Sequence, residues 1–163
     1  MTLGFDPGDR GSTPLPATIN YINKELMQTF LPYANMRQSL ECLDRQRLGK
    51  QRVESKQILD TLNPASTKRG WINHPAVRMW RGYEDALTVY YNTNLLVWEL
   101  RGYKNDKLKS LRVCSKNFTL PPWFGDEKFH ASHRSNLLRK KPEYYGKFGW
   151  HEPSDLDYVW PVL

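Results

Sequence analysis

The sequence predicts a small all-α domain of about three main helices, joined by long aromatic and basic loops and preceded by a disordered amino-terminal arm. Three observations carry this. Apolar residues recur at helical spacing between Leu43 and Leu62 and between Glu84 and Leu100, and Phe129 to Lys141 reads as a third helix closed by Pro142. Prolines and glycines punctuate the chain between these stretches. Residues 1–26 hold few apolar residues and are broken by Gly4, Pro7, Gly8, Gly11, Pro14 and Pro16, which reads as an arm before a domain at 27–163.

In order, Gln28 to Tyr33 reads as a short extended segment stopped by Pro32. Met36 and Leu40 begin a helical pattern, and Asp44 suits the N-cap of a central helix that ends at Asn63-Pro64. Within that helix Leu48, Ser55, Leu59 and Leu62, with Ile58 beside them, form a stripe of core spacing. Arg47, Lys50 and Glu54 lie next to it on one face. A carboxylate between cations at the border of a core has a fixed direction and a depressed pKa, which suits catalysis. A solvated face with one ion pair has the same spacing.

Pro75 fits a first helical position with His74 just outside it, and Arg78 follows one turn after His74. A second long helix starts at Glu84 and Asp85, which suit its amino-terminal dipole, and stops at Arg101-Gly102. Its expected buried stripe is Ala86, Val89, Tyr90, Thr93, Leu96, Val97 and Leu100, with Tyr91 and Trp98 as packing residues. Residues 103–119 carry Lys104, Lys107, Lys109, Arg112 and Lys116; a short strand at Leu111 to Cys114 and a loop are both open. The third helix runs from Phe129 to Lys141, with His130, Arg134 and Leu137 on one face and His133, Asn136 and Lys140 on another, and Pro142 ends it.

Composition narrows the partners. Among 163 residues, 24 Lys and Arg outweigh 17 Asp and Glu, a net charge of +7, and the pI is near 9.4. Such a surface favours nucleic acid, phosphorylated ligands or an anionic membrane face. No apolar run has the length of a membrane span, and the amino terminus lacks the layout of a signal peptide. Cys42 and Cys114 are not spaced as a metal knuckle; they suit free thiols in a reducing, intracellular setting, a single disulfide being the alternative. His130 and His133 are three apart, but no Cys or carboxylate cluster joins them, so neither metal nor cofactor is expected. Arg134, Arg139, Lys140 and Lys141, followed by Tyr144 and Tyr145, combine cations for phosphates with rings that can stack on bases. A basic helix whose trailing aromatics cap the core would look the same.

Taken together, these motifs resemble a known family. The order is a Gln-Arg-Leu…Glu helix, a His-Pro turn, a long helix ending Arg-Gly-Tyr-Lys-Asn, and a basic helix running into Lys-Pro-Glu-Tyr-Tyr-Gly-Lys-Phe. This resembles the endonuclease V-type pyrimidine-dimer DNA glycosylases. It is closer to a bacterial group of relatives carrying Leu-Asp-Arg-Gln-Arg-Leu-Gly-Lys-Gln-Arg-Val-Glu and His-Ala-Ser-His-Arg. The resemblance covers most of the chain from Met27 on and implies an all-α enzyme that cleaves the glycosidic bond of a damaged pyrimidine and nicks the abasic strand through an imine. Glu54 matches the position of the family's catalytic carboxylate, and Arg134 to Tyr145 match its basic helix and aromatic loop.

One departure stands out. The family's nucleophile is the α-amine of the residue after the initiator Met, whereas Thr2 here is far in sequence from Glu54. Processing or internal initiation at Met27 would expose Gln28 instead. Lys50, one turn before Glu54, is the other candidate amine, and a water oriented by Glu54 would give base removal without nicking. The expected site is therefore Glu54 and Lys50 for chemistry. Arg47, Arg52, His74, Arg78, His130, His133, Arg134, Arg139, Lys140, Lys141, Tyr144 and Tyr145 are expected to hold duplex DNA, with the protein a monomer. A nucleic-acid-binding module without catalysis and an enzyme acting on a free nucleotide or nucleoside are the alternatives.

Overall fold

The computed structural model describes residues 27–67 and 69–161; the expected arm at 1–26 lies outside them. Helix α1 is Met36–Glu41, α2 is Arg45–Leu62, α3 is Pro75–Arg78, α4 is Glu84–Leu100, α5 is Glu127–Lys140 and α6 is Pro142–Tyr145, followed by a 3-10 turn at Gly146–Phe148. Among the described residues there is no strand, and residues 111–114 are loop. The three long helices are the expected ones.

The central pair is α2 against α4, with α1 also on α4. Close approach is made possible at Gly49, where an added Cβ would stand 3.1 Å from the Trp98 ring. Leu48, Ser55 and Ile58 are buried as the stripe predicts, and Leu59 and Leu62 pack half-buried at its edge. The stripe also takes in Gln51 and Glu54, two polar residues in core positions.

On α4, Ala86, Tyr90 and Val97 are buried as expected, and Tyr91 and Trp98 pack in the core. The rest of the expected face is corrected: Leu96 and Leu100 are 46% and 66% exposed, while Leu87, Asn94 and Leu95 are buried. The reason is that α4 is covered on two sides. α2 packs on one, and the chain after Gly102 folds back over the other, hydrogen-bonded to Tyr91, Asn92 and Trp98. Gly102, at φ 81°, makes the turn that sends it back.

Helix α5 starts at Glu127 because the Asp126 side chain accepts from Lys128 N at 3.1 Å. Its two expected faces merge into one buried helix, with His130, Ser132, His133, Arg134, Ser135, Asn136 and Leu137 all inside. The tail explains this. Leu156 N and Val159 N donate to Ser135 and Ser132, and Asn136 donates to Leu156 O, so the tail closes over α5. Pro142 ends α5 but also opens α6, at the first position where a missing N–H costs nothing. Cys42 is a buried free thiol and Cys114 an exposed one, so no disulfide links them.

Candidate active site

The site forms where an irregular segment, residues 28–33, crosses the core. It has no ladder to satisfy its backbone, so buried side chains do so. Gln28 N donates to Glu54 Oε2 at 3.2 Å, Phe30 N to Gln51 Oε1 at 2.9 Å and Leu31 N to His133 Nδ1 at 2.9 Å. Phe30 O accepts from the Tyr90 hydroxyl at 2.9 Å, Leu31 O from His130 Nδ1 at 2.7 Å and Pro32 O from Arg134 at 2.7 Å. Trp80 Nε1 donates to the Thr29 hydroxyl at 3.0 Å. A buried backbone group left unpaired costs about 1–3 kcal/mol, so this set of partners fixes the segment's path.

The bonds also fix protonation. His133 accepts at Nδ1 and is neutral; burial, with His130 beside it, lowers its pKa to about 3. His130 donates from Nδ1 and accepts from Gly125 N at Nε2, and burial lowers its pKa too. Arg134 bonds Glu127 and Glu152 besides Pro32. These three predicted DNA contacts are thus buried, at 1%, 0% and 8% exposure, and bonded within the protein.

Glu54 is 8% exposed and holds the opposite end of the segment. Its Oε2 accepts from both Gln28 N and Gln51 Nε2, the latter at 2.9 Å. Burial pushes its pKa up to about 7, against the Gln28 N–H, the charges of Lys50 and Lys140, and the Gln51 amide. The depressed value that the spacing predicts is therefore corrected: desolvation outweighs the neighbouring cations. Gln51 cannot turn its amide round, because its Oε1 faces both Phe30 N and the Tyr90 hydroxyl, the latter at 2.8 Å.

Two hollows meet at Lys50 and Glu54. One, of about 70 Å³, is lined by Phe30, Gln46, Arg47, Lys50, Gln51, Glu54 and Lys140. The other is a groove of about 710 Å³ along α2, lined among others by Gly49, Val53, Gln57, Trp98, Asp44, Arg45 and Lys141. Of the predicted site residues, Arg47, Lys50, Glu54, Lys140 and Lys141 line these two hollows. Around them stand Gln28, the other candidate amine, and Phe30, Gln51, Tyr90, Asp44 and Trp98, which sequence reasoning does not assign to the site. Gln51 carries a signal, being a polar residue in the stripe of Leu48, Ser55 and Ile58.

Other predicted contacts sit elsewhere. Arg52 lies over the Trp98 ring at 4.0 Å and bonds Asn105 at 2.9 Å. Tyr145 is fully buried; its hydroxyl donates to the Asp44 carboxylate and accepts from Asp44 N at 3.0 Å. Burial raises the pKa of Asp44, but the hydroxyl of Tyr145, Arg47 and Lys141 hold it below the usual carboxylate range. Asp44 stands at the N-cap of α2 without capping it through its side chain. Tyr144 is half-buried with Lys141 and Lys147 over its ring. Arg139 bonds Asn136. His74 caps α3 through Nδ1, accepting from Ala76 N at 3.1 Å, and Arg78 is exposed on that short helix; neither lines the two hollows. Among the described residues no three of His, Cys, Asp and Glu gather as metal ligands, and no helix is long and apolar enough to cross a membrane.

No curated protein and no solved structure matches the chain. A family model described as pyrimidine dimer DNA glycosylase matches residues 27–111, just over half of the 163 residues. The match takes in the crossing segment, α1 to α4, and Lys50, Gln51 and Glu54, and it stops before α5. The chain therefore belongs to the pyrimidine dimer DNA glycosylase family.

Proposed function

We propose that the protein removes a damaged or modified pyrimidine base from duplex DNA at the junction of the two hollows. The observation that carries this is the Glu54 carboxylate, buried and aimed by Gln28 N and Gln51 Nε2, beneath the cations Lys50 and Lys140. Breaking a glycosidic bond builds positive charge on the sugar, and a fixed, desolvated carboxylate stabilises it. The Lys and Arg side chains at the rim take the flanking phosphates. The groove between α2 and Trp98 is roomy enough to receive a nucleotide drawn out of the stack.

The nucleophile in this reading is the nitrogen of Gln28. In an intact peptide bond its lone pair is delocalised and does not attack. Released as an α-amine, it would already lie beside Glu54. Its nitrogen would bond C1′ of the sugar while the glycosidic pair leaves with the base, and Glu54 would take the amine proton. The imine this leads to supports nicking of the abasic strand. Lys50, which lines both hollows, is the competing amine, and a water in the same place would give base removal alone.

The test is incubation of the full chain and of a chain beginning at Gln28 with duplex DNA carrying damaged pyrimidines, followed by detection of free base and of abasic sites. Release of base is the expected result. Salt-sensitive duplex binding without release from any lesion would overturn the catalytic reading and leave a binding module.

A further inference from the structure

Residues 103–119 have no regular secondary structure, yet their backbone is tied down along the whole of α4. Lys104 O accepts from Trp98 Nε1 at 2.8 Å, and Lys109 O from the Tyr91 hydroxyl at 2.8 Å. Leu111 exchanges two hydrogen bonds with the Asn92 amide, at 2.7 and 2.8 Å. Cys114 N and Ser115 N both donate to the Asp85 carboxylate at 3.0 Å. Asn105 ties the start to Arg52 of α2. The segment is a fixed rail rather than a loose loop.

The rail is strongly basic. Lys104, Lys107, Lys109, Arg112 and Lys116 are all exposed, against one acid within it, Asp106. Among the described residues none of the five side chains is in an ion pair. The neighbouring acids are engaged with backbone or amide groups: Asp85 with the rail's own N–H groups, Glu84 with Gly82 N, and Glu99 with Asn105. One end of the rail lies at Trp98, in the wall of the groove beside Glu54, and the other reaches Asp85. At 1.5 Å per residue that is about 20 Å of helix, comparable to about six base pairs at 3.4 Å each.

We propose that the segment from Lys104 to Lys116 is a second contact surface for the DNA backbone, which holds the duplex to one side of the reaction site. This rests on the reading of the groove as a DNA site. Its ordered backbone means the cations are presented without a large cost of ordering the segment on binding. Its start, at Lys104, is bonded to Trp98 in the wall of the groove.

The experiment measures binding of fluorescent duplexes by anisotropy across a range of salt. The chain carries Glu54→Gln so that binding is read without turnover, with and without glutamine at all five cations. Three duplexes are used: one with long arms on both sides of the damaged base, and two cut short on one side or the other. The five-fold variant is expected to bind the long duplex about tenfold or more weakly, with a salt slope lower by about 2–4, at roughly 0.9 for each phosphate no longer neutralised. The difference should vanish on one of the shortened duplexes and persist on the other. An unchanged slope on the long duplex, or an equal loss on all three, overturns the proposal. If the wild-type chain releases base while the five-fold variant binds like its parent, the rail alone fails. If the parent binds no duplex, the DNA reading fails and the rail with it.

Discussion

The backbone N–H of Gln28 donates to the Glu54 carboxylate at 3.2 Å, across 26 positions of sequence. This bond joins the buried crossing segment to the buried carboxylate of α2. In the proposed reaction, the nitrogen beside that carboxylate is the one that serves as the amine once it is released from its peptide bond.

Stability should move opposite to function at Glu54. Burial raises its folded pKa from 4.5 to about 7. The folded state therefore holds more protons than the unfolded state between those values, and stability falls as pH rises through the window. Glu54→Gln removes this penalty. At pH 8 the variant should be more stable than wild type by on the order of 1–3 kcal/mol, and at pH 4 the two should be close. Thermal melts at the two pH values check this; a variant less stable than wild type at pH 8 contradicts it.

Gln51 holds Glu54 toward its ionised form, since its amide bonds the carboxylate at 2.9 Å. If Glu54 works as a carboxylate, base release rises with pH to a plateau above about 7. Gln51→Leu should raise the Glu54 pKa and carry that rising limb to higher pH. It also leaves Phe30 N without its acceptor, costing about 1–3 kcal/mol of stability. A pH–rate profile separates these effects: loss of stability with an unmoved limb would make Gln51 a structural residue only.

His133 should make the fold acid-sensitive. Its pKa is lowered by burial to about 3 from an ordinary 6.5. The unfolded chain binds the proton first, so the stability held above pH 6.5 is lost as pH falls toward 3. Protonation at Nδ1 would also expel the Leu31 N–H from its acceptor. His133→Leu should flatten that acid limb while costing about 1–3 kcal/mol at pH 7 for the unpaired amide. Denaturant melts of both proteins between pH 4 and 7.5 read the difference; parallel curves would contradict it.

Much of the frame is legible in the sequence. The stripe in residues 43–62 places α2, and the grouping of Arg47, Lys50 and Glu54 follows from helical spacing alone. What spacing cannot show is how deeply Glu54 lies. That depends on residues 28–33, whose short, irregular run carries no periodicity to read. The same segment explains the histidines. His130 and His133 look like surface contacts because α5 is rich in polar residues, but those polar groups serve the backbone of a distant segment and the tail. On α4, Leu96 and Leu100 fit the apolar pattern and are nonetheless exposed, because the covering rail comes from sequence that has no pattern of its own.

The amine can be assigned by borohydride trapping on abasic-site duplex DNA. A chain beginning at Gln28 is expected to form a covalent adduct through its terminal nitrogen. An adduct of equal yield from the full chain, lost in Lys50→Ala, would assign the role to Lys50. Base release without an adduct from either chain would assign it to water.

If the carboxylate of Glu54 carries the chemistry, single-turnover base release separates wild type from Glu54→Gln. Both proteins are first shown to be folded and to bind the damaged duplex. Loss of a preorganised charge of this kind corresponds to about 10²–10³ in rate, so Glu54→Gln should release base at least a hundredfold more slowly at pH 8. Release by the variant at the wild-type rate would show that the chemistry does not depend on this carboxylate.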